Sequence, residues 1–131
     1  MKFVCMGYYD ERRFAQMSEA EQAAMVAECT AYDQELHRNG HFADGVALQG
    51  AATATTVRWR DGKAIMTDGP FTETKEILGG ILILEARDQD EALELIRRHP
   101  GIRIGPFEIR PVDEAFMSQH PILNKQQERA T

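Results

Sequence analysis

Ile81, Leu82, Ile83 and Leu84 stand consecutively, and a strand without polar alternation must be covered on both faces. Phe3, Val4, Cys5 and Met6 repeat the pattern near the other end of the chain. These two runs constrain the fold most, because the 131 residues offer only two long helical patterns to cover them. The first starts where Ser18 and Glu21 have the S-x-x-E spacing of a capping box. Its apolar stripe is Met25, Cys29, Tyr32 and Leu36, and Gly40 after Asn39 supplies the left-handed ending. The second has Asp88 as cap and Glu91 three residues on, then an inward stripe of Ala92, Leu95, Ile96 and His99 widened by Leu93, and stops at Pro100. Two helices cover one face of a sheet. The other face needs a second surface, and a second copy of the chain is the natural source.

The remaining elements are strands. Residues 42–49 read as a short strand, and the Gln49-Gly50-Ala51 connection leads into Thr53 to Arg60, rich in β-branched and aromatic residues. Asp61-Gly62 predicts a tight hairpin turn, with Ala64 to Thr67 as the return strand. Phe107 and Ile109 alternate with Glu108 and Arg110 in a last strand before Pro111. Asp10 to Arg13 is expected to be irregular. The order gives an α+β fold, ferredoxin-like βαββαβ with an extra hairpin, paired as a dimeric α/β barrel. One domain over residues 1–112 is expected, with 113–131 a C-terminal extension, partly frayed from about Ile122.

Fifteen basic against 21 acidic residues leave a net charge of −6, which disfavours a phosphate-binding groove and hence nucleic acid. Trp59 is the only aromatic in the central sheet runs, too few to stack bases. No run reaches the apolar length of a membrane span, and the first residues lack the apolar core of a signal peptide. Two cysteines inside apolar patterns, Cys5 and Cys29, read as buried thiols of a reducing compartment. A cytoplasmic location is expected.

Chemistry is sparse. His37, His41 and Asp44 come closest to ligand spacing, but Gly40 ends the helix between the histidines, so no metal site is expected. His99 reads as a complement to its helix dipole. No serine sits in a nucleophile elbow, and Gly79-Gly80 precedes a strand rather than opening a helix, so no nucleotide-binding loop is present. What remains is Thr67 to Glu76, with polar side chains around a Gly69-Pro70 turn. One reading makes it structural, with Asp68 bonded inside the turn, Thr72 capping, and Glu73, Lys75 and Glu76 solvated. The other makes it a site: Asp68 or Glu76 as general base, Lys75 or Arg58 stabilising negative charge, and Glu73 with Arg58 contacting the ligand.

The stretch Thr53-Ala54-Thr55-Thr56-Val57-Arg58, then Asp61-Gly62, Thr67-Asp68-Gly69-Pro70-Phe71-Thr72-Glu73-Thr74-Lys75-Glu76 and Gly79-Gly80, resembles the DGPF branch of the YCII-related family, from Met1 to about Val112. The resemblance implies a dimeric α/β barrel of two ferredoxin-like sheets packed face to face, in bacterial proteins whose genes often neighbour those of sigma factors. Distant relatives on the same fold include lactone isomerases and a dehydrochlorinase acting on small ring compounds. Family members commonly pair a histidine on the first helix with an aspartate. Counting back from the helix-ending glycine, Cys29 stands at that histidine position, so the match carries over only the segment Asp68 to Glu76. Two functions follow as expectations. One is a cofactor-independent lyase or isomerase acting on a small polar or cyclic molecule. The alternative is a non-catalytic dimer that senses a small molecule or binds a partner in sigma-factor regulation.

Overall fold

The computed structural model describes residues 1–124. Its strands are β1 (Lys2–Tyr9), β2 (Phe42–Ala47), β3 (Thr55–Arg60), β4 (Lys63–Asp68), β5 (Ile77–Glu85) and β6 (Phe107–Pro111). Its helices are α1 (Glu11–Gln16), α2 (Glu19–Arg38), α3 (Gln89–Arg97) and α4 (Glu114–Gln119). The main sheet has the order β2-β5-β1-β6, every pair antiparallel, and β3 pairs with β4 as a separate hairpin. Setting aside α1, α4 and the hairpin leaves β1-α2-β2-β5-α3-β6, the expected ferredoxin-like plan.

The doubly apolar strands occupy the two central positions. Phe3 lies opposite Leu84 and Cys5 opposite Leu82; these four are buried beneath the helices together with Leu36, Ala92, Leu95 and Ile96. Their alternates pair on the reverse face, Val4 with Ile83 and Met6 with Ile81, and Ile81 also faces Val46 on β2. That reverse face is less covered among the described residues: Val4, Met6, Ile81 and Ile83 are only half-buried and Val46 is exposed.

Local chemistry sets the element ends. Ser18 and Glu21 form the reciprocal capping box that starts α2, and Asp88 accepts the Glu91 N–H to start α3. Asp61 and Gly62 both take positive φ, 52° and 76°, the geometry of a two-residue hairpin turn. Gly7 and Gly101 lie under the Phe107 ring, each so close that a β-carbon would sit 3.1 Å from Cζ.

Three expectations are corrected. Asp10 to Arg13 is not irregular: Asp10 caps α1 by accepting from the Arg12 and Arg13 N–H groups. Leu93 does not widen the buried stripe of α3; it is 44% exposed. His99 lies beyond the end of α3 and is not a dipole partner, because its ring opens the following 3-10 turn over Pro100–Arg103. The C-terminal extension begins with α4, capped by Asp113. Of the tail expected to fray from about Ile122, residues 122–124 are helical, with the Asn124 N–H donating to His120 O at 2.9 Å, and residues 125–131 lie outside the described residues.

Candidate functional site

Strand β1 delivers Asp10 to the end of the sheet that the hairpin segment overhangs. Oδ1 accepts the Arg12 and Arg13 N–H groups at 3.0 and 3.3 Å. Oδ2 lies 3.9 Å from the Lys75 ammonium. Asp10 is 7% exposed, one of two polar residues in the described chain that are buried, His99 being the other. Beside it opens a cleft of about 550 Å³ lined by Asp10, Glu11 and Arg12 of the β1–α1 corner, Ala51 and Ala52, and Gly69, Pro70, Glu73, Thr74, Lys75 and Ile77.

The walls are tied by specific contacts. Glu11 Oε1 accepts the Ala51 N–H at 3.4 Å, and a β-carbon on Gly50 would fall 2.6 Å from Glu11 Oε2, so the glycine makes room for this carboxylate. Gly69 has φ +106°, a conformation that favours glycine. Its N–H donates to Ala54 O and its carbonyl accepts from Thr56 Oγ1, both at 2.8 Å. The 69–77 segment therefore reaches the cleft from a turn fixed on both sides. A buried carboxylate fixed by backbone at one oxygen and bordering a cleft is positioned to meet a proton of a bound molecule, while Lys75 and Arg12 suit stabilising negative charge there.

The residues expected from sequence divide. Glu73 and Lys75 line the cleft. Asp68, Glu76 and Arg58 are exposed and outside its lining. Asp68 sits opposite Thr55 at the base of the hairpin, on the face that carries Val57 and Trp59. The Arg58 guanidinium lies 4.9 Å above the Phe71 ring, and the Glu76 carbonyl accepts from the Thr74 hydroxyl. Asp10 was not expected, although Asp followed by Glu in Asp10-Glu11-Arg12-Arg13 is a legible N-cap signal.

A His–Asp pair does exist, made from other positions. The His99 Nε2 is 2.9 Å from Asp33 Oδ1 on α2, and its Nδ1 accepts the Gly101 N–H at 3.0 Å. That acceptance puts the proton on Nε2. With both nitrogens bonded and the ring held between Tyr32 and Phe107, the pair braces α2 against the turn before β6. Cys29, one helical turn before Asp33, has its thiol pushed up chiefly by burial, so it does not take a histidine's role as base. Burial pushes the Cys5 thiol up to about 11. His37 packs edge-on near Phe42, and His41 Nδ1 pairs with the Glu85 carbonyl at 2.8 Å. Among the described residues no three His, Cys, Asp or Glu side chains gather as metal ligands, and no helix is long and apolar enough to cross a membrane.

Fold and cleft together define a ferredoxin-like α+β domain with an acid-and-cation cleft at one end of its sheet. The chain belongs to the YCII-related family, whose domain model matches residues 1–115. An uncharacterised protein of Rhizobium meliloti (strain 1021) is 29% identical over 114 residues, covering 86% of this chain and 92% of that protein. Among solved structures, the 5-chloro-2-hydroxyhydroquinone dehydrochlorinase of Burkholderia phenoliruptrix AC1100, in complex with 2,5-dihydroxybenzoquinone, superposes with a TM-score of 0.54 at 17% identity. The match covers 86% of this chain and 94% of the dehydrochlorinase, and at that identity it speaks for the fold.

Proposed function

We propose that the protein is a cofactor-independent lyase or isomerase of the cytoplasm that acts, as a homodimer, on a small polar or cyclic molecule in the Asp10–Lys75 cleft. The observation that carries this reading is Asp10, a buried carboxylate with Oδ1 fixed by two N–H groups and Oδ2 on the Lys75 side. Asp10 takes the proton; Lys75 and Arg12 meet the charge that forms; Glu73 contacts the ligand at the rim. Asp68, Glu76 and Arg58, expected to take part, stand outside the lining, where Arg58 packs over Phe71. The ring chemistry named for the dehydrochlorinase structure supports small cyclic substrates. The homodimer is supported by the apolar reverse face of the sheet, with Glu108 and Arg110 paired beside Met6 and Val4 as opposite charges along its β6 margin.

The test uses Asp10→Asn. Asn caps a helix as well as Asp does, so the variant keeps the fold and drops the charge. A panel of small hydroxylated ring compounds, 2,5-dihydroxybenzoquinone among them, is screened by thermal shift and by change in ring absorbance. The wild type is expected to be stabilised by at least one compound and to consume it, and Asp10→Asn to lose turnover. Turnover unchanged in Asp10→Asn refutes the assignment. A ligand bound but never consumed favours the sensing dimer instead.

A further inference from the structure

The β3–β4 hairpin presents an apolar face that no described residue of its own protomer covers. Val57 lies opposite Met66 and Trp59 opposite Ala64; Val57, Trp59 and Met66 are 64%, 75% and 75% exposed. The other face carries Arg58, Arg60 and Lys63, with Thr56, Thr67 and the half-buried Ile65. An amphipathic two-stranded ribbon is marginal in water by itself, and its alternation matches strands that bury one side.

We infer that this hairpin is an arm that lays Val57, Trp59 and Met66 against a second copy of the chain. The inference rests on the homodimer proposed above, and two observations tie the arm to it. The first is area. Strands with five, eight, eight and five paired residues, each residue rising about 3.4 Å and the strands about 4.8 Å apart, give the open sheet face a projection of only about 420 Å². A standard interface removes about 800 Å² from each partner. The hairpin face, about 20 by 10 Å on the same spacings, adds nearly half as much again. The second is continuity. The hairpin leaves the sheet after Ala47 and returns at Ile77, beyond the end at which Val46 pairs with Ile81. The apolar reverse face therefore runs out at the root of the arm, and a two-fold partner seated on one is adjacent to the other.

Trp59 is the chain's only tryptophan, so its emission reads this contact directly. Sedimentation and acrylamide quenching are measured on the same micromolar samples. The expected result is a dimer with blue-shifted, quencher-protected emission, and a Trp59→Ser/Met66→Ser variant that dimerises at least tenfold more weakly, as loss of a central aromatic anchor requires. These side chains are exposed in the protomer, so the variant is expected to keep the wild-type circular dichroism. A dimer whose Trp59 is as quenchable as free tryptophan, or a double variant that dimerises as tightly as wild type, overturns the arm and leaves the sheet-face dimer standing. A monomer overturns the dimer reading and the arm with it.

Discussion

Replacing His99 by alanine tests the brace between α2 and the turn before β6. Three losses add. The Gly101 N–H, buried and bonded only to His99 Nδ1 at 3.0 Å, is left without an acceptor, which costs about 1–3 kcal/mol. The Nε2 bond to Asp33 at 2.9 Å goes, at about 1 kcal/mol because Asp33 is partly solvated. The ring, 6% exposed between Tyr32 and Phe107, leaves a void that costs about 1–2 kcal/mol. The sum, about 3–6 kcal/mol, is a large fraction of the about 5–15 kcal/mol that holds a typical domain together. His99→Asn separates the parts, since its Oδ1 reaches the place of Nδ1 and still accepts from Gly101 while the Asp33 bond is lost. It is expected to recover about 1–2 kcal/mol of the alanine loss. Urea unfolding at one fixed protein concentration, followed by circular dichroism, measures both variants, with the slope unchanged. An alanine cost below about 1 kcal/mol, or asparagine no better than alanine, refutes the buried-cap reasoning.

Gly105→Ala is expected to be far worse than an alanine elsewhere on the surface, because the new β-carbon would overlap the Tyr8 carbonyl oxygen and lie 2.6 Å from its carbon and 2.9 Å from Tyr9 Cα. Relief displaces the Tyr8 N–H to Pro106 O bond of 2.9 Å, for about 3 kcal/mol or more; Gly40→Ala, strained only by its φ of +79° with open space around it, is the control at about 1 kcal/mol. Alkaline pH is expected to destabilise the protein through Cys5. Its folded pKa, raised from 9.0 to about 11 by burial, means that the stability it contributes is complete below pH 9 and is lost as pH rises toward 11, about 2–3 kcal/mol at most. Unfolding midpoints measured across that window should fall less steeply in Cys5→Ala, and equal slopes would remove Cys5 as the cause.

The central strands were legible because a run such as Ile81 to Leu84 has no alternative to two-sided burial, and its pairing with Phe3 to Met6 follows from the same demand. Helix starts were legible where a short polar side chain precedes an apolar period, at Ser18 and Asp88. Asp10 carries the same signal, yet the helix it caps is only Glu11–Gln16, too short for an apolar stripe to announce it. The site fell partly out of view for that reason. Sequence density pointed to residues 67–76, but density along a chain does not tell which side chains turn inward. In β4 the alternation that sends Asp68 to the face of Met66 removes it from the cleft, whereas Glu73 and Lys75, beyond the Gly69-Pro70 turn, border it.

Long-range partners are the part that no local pattern encodes. Asp10 and Lys75 are 65 residues apart in the chain, and Asp33 and His99 are 66 apart; both pairs exist only because β1 and β5 are neighbours and α2 lies over the turn before β6. The burial of His99 was readable from the inward stripe, but its role was not: expected to complement the helix dipole, it instead caps the following turn and pairs with Asp33, as a buried histidine must find partners for its nitrogens. Which partners it finds is a property of topology. The same logic separates the two acid groups by role. Asp33 is matched to a ring whose other nitrogen is already satisfied, so moving its proton would cost the brace. Asp10 Oδ2 faces a cleft and a lysine that is 81% exposed, so a bound molecule can displace that lysine's water without breaking a structural bond. Of the two, Asp10 is therefore the one to which the proposed chemistry is assigned.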